Sequence, residues 1–95
     1  MSNEVFIVLI INNHYVRWET ITKRTTLEEL NALLITKYKI WRCMIEIGEA
    51  HIFHFDDKKV FDYLKFIDPD GKEEYTSTIR VFPRQRDYTL SKNIF

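Results

Sequence analysis

Apolar residues recur along this chain in two rhythms, one of period two and one of about 3.6, and the rhythms mark its elements. Val5–Ile11 is an unbroken apolar run, β-branched and aromatic, which predicts a central strand covered on both faces. Asn12-Asn13-His14 follows as a turn, because asparagine accepts left-handed dihedrals without glycine. Tyr15–Thr22 alternates. Val16, Trp18 and Thr20 share one face, Arg17 and Glu19 the other, and the pattern predicts a half-buried strand closing a hairpin.

The rhythm then changes. Leu27, Leu30, Leu33, Leu34 and Tyr38 recur at helical spacing, with Glu28, Asn31 and Lys37 on the opposite side. Thr25 with Glu28, or Thr26 with Glu29, matches a capping box ahead of a helix over 27–38. Alternation returns in Ile40–Ile47, where Trp41, Cys43, Ile45 and Ile47 share a face, and this predicts a third strand. Gly48-Glu49 turns the chain into a short fourth strand, Ala50–Phe55. Asp56-Asp57 is placed to cap a helix starting near Lys58, with Val60, Phe61, Leu64 and Ile67 on its face. The same residues admit a strand through Tyr63–Ile67, hairpinned by Asp68-Pro69-Asp70-Gly71. Tyr75–Phe82 is the last strand, and Pro83 ends it.

The order is strand, strand, helix, strand, strand, short helix, strand. A single α+β domain is expected over residues 1–83, a small mixed sheet crossed by one main helix. Residues 84–95 form a polar, mildly basic tail. The order of elements and the strongly apolar first strand resemble the ubiquitin-like β-grasp over roughly residues 4–82. That resemblance implies parallel pairing of the first and last strands at the sheet centre. It implies no conjugation, since the chain ends in Asn93-Ile94-Phe95 rather than a diglycine. A split ferredoxin-like sandwich is the alternative.

Composition narrows the functional classes. The chain has 95 residues and a formal net charge of +0, so the clear positive excess of a dedicated nonspecific nucleic-acid binder is missing. Acids concentrate in residues 49–74 and bases in residues 75–95. Cys43 is the only cysteine, which excludes an intramolecular disulfide and favours a reducing compartment. The polar, acidic start lacks the basic residues and cleavage site of a secretory signal, and no stretch approaches a membrane span. A cytoplasmic location without membrane association is expected.

No catalytic residues, metal ligands or cofactor are expected. His51 and His54 stand three apart, which on a strand points them to opposite faces. Cys43 shares its face with Trp41 and Ile45 and reads as a small buried hydrophobe rather than a nucleophile. Asp68, Asp70, Glu73 and Glu74 carry only half the pattern of a calcium loop and read as a turn. The suggestive run is Arg80–Tyr88, where Arg80, Arg84, Arg86 and Tyr88 combine bidentate donors with a ring. These are the expected partner-binding residues, with Arg17 and Glu19 as the secondary candidates. The expected function is a non-enzymatic protein-interaction module, or a regulatory or inhibitory accessory protein. Its richness in Ile, Lys, Asn, Tyr and Phe suits an AT-rich genome, so a viral or phage protein is one form of that class. The alternative is an RNA- or DNA-binding accessory protein using the basic C-terminal segment. A homodimer is compatible with either class.

Overall fold

The computed structural model describes residues 3–84. Strand β1 (Glu4–Ile11) and strand β2 (Tyr15–Thr22) form an antiparallel hairpin, with Ile11 opposite Tyr15 and Val5 opposite Ile21. Asn12 and Asn13 make its turn, both with φ of 56°. Helix α1 (Leu27–Tyr38) follows, with the predicted bounds. Thr26 is its N-cap: Thr26 Oγ1 accepts from the Glu29 amide and Glu29 Oε1 accepts from the Thr26 amide, so the second of the two capping boxes is the one used. A distant segment completes the cap. The carbonyls of Lys58 and Asp56 accept from the Leu27 and Glu28 amides, which have no partner inside the helix.

Lys39 closes α1 in the left-handed region, at φ 61°. Ile40 donates its amide back to the Leu34 carbonyl and buries its side chain in the core. This closure explains why the third strand, β3 (Cys43–Ile47), begins later than the alternation from Ile40 predicts. Trp41 consequently lies outside the strand and is exposed rather than aligned with Cys43. β4 is Ala50–Ile52, shorter than expected.

Helix α2 (Val60–Leu64) and strand β5 (Lys65–Ile67) then follow directly, so both readings of this span are realised in succession. Val60 and Leu64 enter the core, which fixes one helical turn, while Ile67 is exposed. Asp56 does not cap α2. The N-cap is Lys59, without a side-chain hydrogen bond, and Asp56 Oδ1 accepts from the Lys58 amide instead. β5 pairs with β6 (Glu73–Tyr75) in a separate hairpin whose turn is held by Asp68 Oδ1, an acceptor for the Asp70 and Lys72 amides. The last strand, β7 (Thr78–Pro83), is separated from β6 by Thr76-Ser77.

The main sheet has the order β2-β1-β7-β3-β4, with β1 and β7 parallel and the other neighbours antiparallel. This is the β-grasp-like arrangement. Parallel central strands need a crossover, and α1 with the later elements supplies it. The core lies on one face. Val5, Ile7, Leu9 and Ile11 of β1, Ile79 and Val81 of β7, and Cys43, Ile45 and Ile47 of β3 pack there with Leu27, Leu30 and Leu34 of α1. Leu33 and Tyr38 are partly buried at its margin.

Candidate functional site

The opposite face of the sheet carries no helix among the described residues, and its side chains are the even-numbered ones of β1 and β2. Phe6 is 62% exposed, Val16 50% and Trp18 72%. Among the described residues, β1 is therefore covered on one face, not two. In β2 the expected polarity is reversed: Val16, Trp18 and Thr20 face outward, and Glu19 and Ile21 lie on the α1 side. The register forces this. Ile21 pairs with Val5, so it joins the buried parity, and every second residue of β2 must then share the orientation of Glu19 and Arg17.

The register carries the open face across the sheet. Val8 lies opposite both Trp18 and Thr78, Ile10 opposite both Val16 and Arg80, and Phe82 opposite Met44. Val8, Ile10, Met44 and Phe82 are half-buried, so apolar rows run from β2 into β1 until they meet Thr78 and Arg80 on β7, and Phe82 with Met44 makes a second apolar pair beyond Arg80. Its polar members are grouped. Glu46 lies between Arg80 and His51, with Arg80 Nε 3.8 Å from Oε1 and His51 Nε2 3.1 Å from Oε2. Arg80 also donates to Asn13 Oδ1 at 3.5 Å.

The expected binding residues divide accordingly. Arg80 is exposed at the centre of the open face, and Phe82, which shares its parity, is half-buried. Arg84 leaves the sheet beside β3, its amide donating to the Arg42 carbonyl and its guanidinium 5.9 Å from the centre of the Phe53 ring. Arg86 and Tyr88 lie outside the described residues. Arg17 and Glu19 are on the other side of the sheet. Arg17 lies 5.6 Å from the Tyr15 ring centre. Glu19 is 9% exposed and takes a hydrogen bond from the Tyr38 hydroxyl and an ion pair from Lys37 at 2.7 Å, both on Oε2. Burial pushes the Glu19 carboxyl up, but the hydrogen bonds from Lys37 and Tyr38 and the lysine charge outweigh it, so its pKa falls. Burial, followed by the Glu19 hydrogen bond, pushes the Tyr38 phenol up to about 12.

The remaining candidate chemistry is dispersed. Cys43 is buried in the core, and burial pushes its thiol up to about 11, far from the range of a reactive thiolate. His51, His54 and Asp56 border one shallow cleft of about 380 Å³, together with Phe53, Lys58 and Tyr63. Among the described residues, no three His, Cys, Asp or Glu side chains gather closely enough to hold a metal ion. No described helix is long and apolar enough to cross a membrane.

The open face was missed from sequence because β2 carries apolar residues of both parities, Val16 and Trp18 against Tyr15 and Ile21. The available signal was Ile21, one turn of chain before the α1 cap, where a strand beneath a helix must be buried. Compared with known protein families, with curated proteins and with solved structures, the chain matches none.

Proposed function

We propose that this chain is a non-enzymatic protein-interaction module, of the regulatory or accessory kind, whose partner docks on the open face of the sheet. The supporting observation is the exposure of Phe6, Val16 and Trp18 on one face beside Val8 and Ile10, with Phe82 and Met44 as a second apolar pair on the same face beyond Arg80. Large exposed apolar residues grouped in this way mark interaction sites, whereas isolated ones do not. The grouping also has the composition of an interface, with rings and a methionine on either side of a polar group of Arg80, Glu46 and His51. Of the arginines expected from sequence to bind, Arg80 lies within this surface and Arg84 at its rim, where each offers hydrogen-bond donors to a partner.

A second reading keeps the same face but gives it a nucleic acid. Exposed rings on a sheet beside an arginine are a stacking surface for unpaired bases. Glu46 beside Arg80 counts against it, because it offsets the charge where a phosphate would lie. Affinity capture from the source cell, with and without nuclease, tests both. The wild type and Phe6→Ser are compared, after circular dichroism shows that both fold. Nuclease-resistant recovery of a defined protein, lost with Phe6→Ser, supports the protein reading. Recovery that nuclease abolishes supports the nucleic acid. Recovery of the same protein by both variants would remove the open face from the account.

A further inference from the structure

We infer that the outer edge of β2 is a self-pairing edge, joining two copies of this chain as antiparallel strands in one fixed register. β2 is the terminal strand of the main sheet. The hydrogen bonds of β1 decide which of its residues face outward. Val8 and Asn12 donate their amides toward β7, to the carbonyls of Ser77 and Val81. The odd residues of β1 therefore bond to β2, through the pairs Val5–Ile21, Ile7–Glu19, Leu9–Arg17 and Ile11–Tyr15. The even residues of β2 direct their backbone groups away from the sheet.

Those even residues are unequal. Thr22 is already closed, its amide on Thr25 Oγ1 at 3.0 Å and its carbonyl taken by the Thr25 amide at 3.1 Å. The Val16 carbonyl accepts only from the side chain of its neighbour Arg17. The Val16 amide and both backbone groups of Trp18 and Thr20 have no partner among the described residues. The open stretch is thus Val16 to Thr20, with Trp18 at its centre. β2 contains no proline, glycine or bulge to blunt it.

A twofold axis at Trp18 uses this stretch completely. Trp18 then faces Trp18 of the second copy, and Val16 and Thr20 face each other in both directions. On the α1 side, Arg17 of each copy lies opposite Glu19 of the other, and Tyr15 opposite Ile21. Charges on the inward side of an edge strand ordinarily prevent pairing. Here they are opposite in sign and two residues apart, so the twofold axis brings unlike charges together. Oε1 of Glu19 remains open to the incoming guanidinium, since Lys37 and Tyr38 both use Oε2.

The neighbouring registers fail on the same residues. An axis at Arg17 sets the two Arg17 side chains against each other. An axis at Glu19 sets Glu19 against Glu19 and matches Val16 to Thr22, whose backbone is closed. The second copy is therefore favoured over an unrelated strand, because the sequence of β2 complements itself in the one register that engages all of its free backbone groups. The pairing leaves both open faces on the same side of a doubled sheet, and it stands independently of what docks there.

Sedimentation velocity over a concentration series, combined with single-cysteine crosslinking, tests the inference. The wild type should show a monomer–dimer equilibrium. Thr20→Pro removes one outward amide that the fold itself does not use, and it should weaken the dimer by about tenfold or more. Trp18→Cys should form an intermolecular disulfide on mild oxidation, since directly opposed strand residues lie within disulfide reach, about 5.5 Å between Cα atoms. Arg17→Cys and Glu19→Cys should not, being diagonal across the axis. The inference is overturned by a wild type that stays monomeric at every concentration. It is equally overturned by crosslinking at position 17 or 19 in preference to 18. The crosslinking comparison decides the matter even should Thr20→Pro not fold.

Discussion

The two faces of the main sheet are built from similar residues and have opposite fates. On the covered face, Ile7, Leu9, Ile45, Ile79 and Val81 are sealed beneath Leu30 and Leu34. On the open face, Phe6 and Trp18 are mostly in solvent, although both are larger than anything in that core layer. Hydrophobicity alone thus does not choose the buried side. The choice follows from register: the hairpin turn fixes Ile11 against Tyr15, and the helix then covers whichever parity contains Ile21. Leaving rings this large outside forgoes their burial, about 25 cal/mol per Å² of apolar surface, and that cost is what the proposed docking on this side would offset.

The strongest contrast should come from truncating the covered side. Leu30 is fully buried against the sheet, and Leu30→Ala is expected to cost about 2–5 kcal/mol through lost transfer energy and the cavity left behind. Denaturant unfolding measures it. A loss below about 1 kcal/mol would mean that the covered face is not the source of stability and that the comparison between faces does not hold.

A smaller effect is expected where the covered face reaches its polar margin. Tyr38→Phe removes the hydroxyl that donates to Glu19 and should cost about 1 kcal/mol near neutral pH. Its pH dependence has a worked sign. Glu19 has a lowered folded pKa, so its contribution is present above the unfolded carboxyl pKa and is lost as pH falls through the folded value. Tyr38 is raised from 10.0 to about 12, so its contribution is complete below the unfolded value and is lost as pH rises through about 12. Phenolate absorbance should show one tyrosine titrating later than the rest, and Tyr38→Phe should abolish that late phase. A variant that keeps it would place the interaction elsewhere.

The α1 cap offers a comparable test at the end of the covering helix. Thr26→Ala leaves the Glu29 amide without its side-chain acceptor and should lower stability by about 1 kcal/mol. Thr25→Ala should not reproduce this through the helix, because Thr25 Oγ1 serves the Thr22 amide instead. Thermal or denaturant unfolding of the two variants side by side would separate the two threonines that the sequence offers as equivalent caps.

What was legible in the sequence was what local chemistry decides. The bounds of α1 followed from a capping box and a leucine stripe, and the hairpin turn from two asparagines that tolerate positive φ. The parallel pairing of the first and last strands is what the β-grasp resemblance, carried by the order of the elements, implies. What was not legible depended on contacts between distant segments. Ile40 looks like the first residue of a strand until the helix closure claims its amide. Asp56 looks like a cap for the helix that follows it, yet its carbonyl caps α1, well upstream in sequence. The open face was hidden for the same reason: Val16 and Trp18 form the more apolar half of β2, and only pairing with β1 turns them outward. Of the residues expected to bind, Arg80 falls on that face and Arg84 at its rim, while Glu19 lies on the other face with its Oε2 held by Tyr38 and Lys37.

The smallest stability effect should accompany the largest effect on binding. Phe6 lies on β1, inside the sheet, so its substitution leaves the outer edge of β2 untouched and reports on the open face alone. Its ring is mostly in water already, so Phe6→Ser gives up little burial and should change unfolding free energy by about 0.5 kcal/mol or less. The neighbouring Val8 and Ile10 lie in the same strand and keep their register through backbone bonds on both sides, to β2 and to β7. Partner binding should nonetheless fall sharply, because a buried aromatic anchor at the centre of an interface carries far more energy than its rim. Arg84→Glu, at the rim, should weaken binding less and alter its salt dependence more. Titration of the recovered partner against each folded variant measures both. Were Arg84→Glu to cost more than Phe6→Ser, the charged end of the sheet would be the anchor and the apolar face its surround.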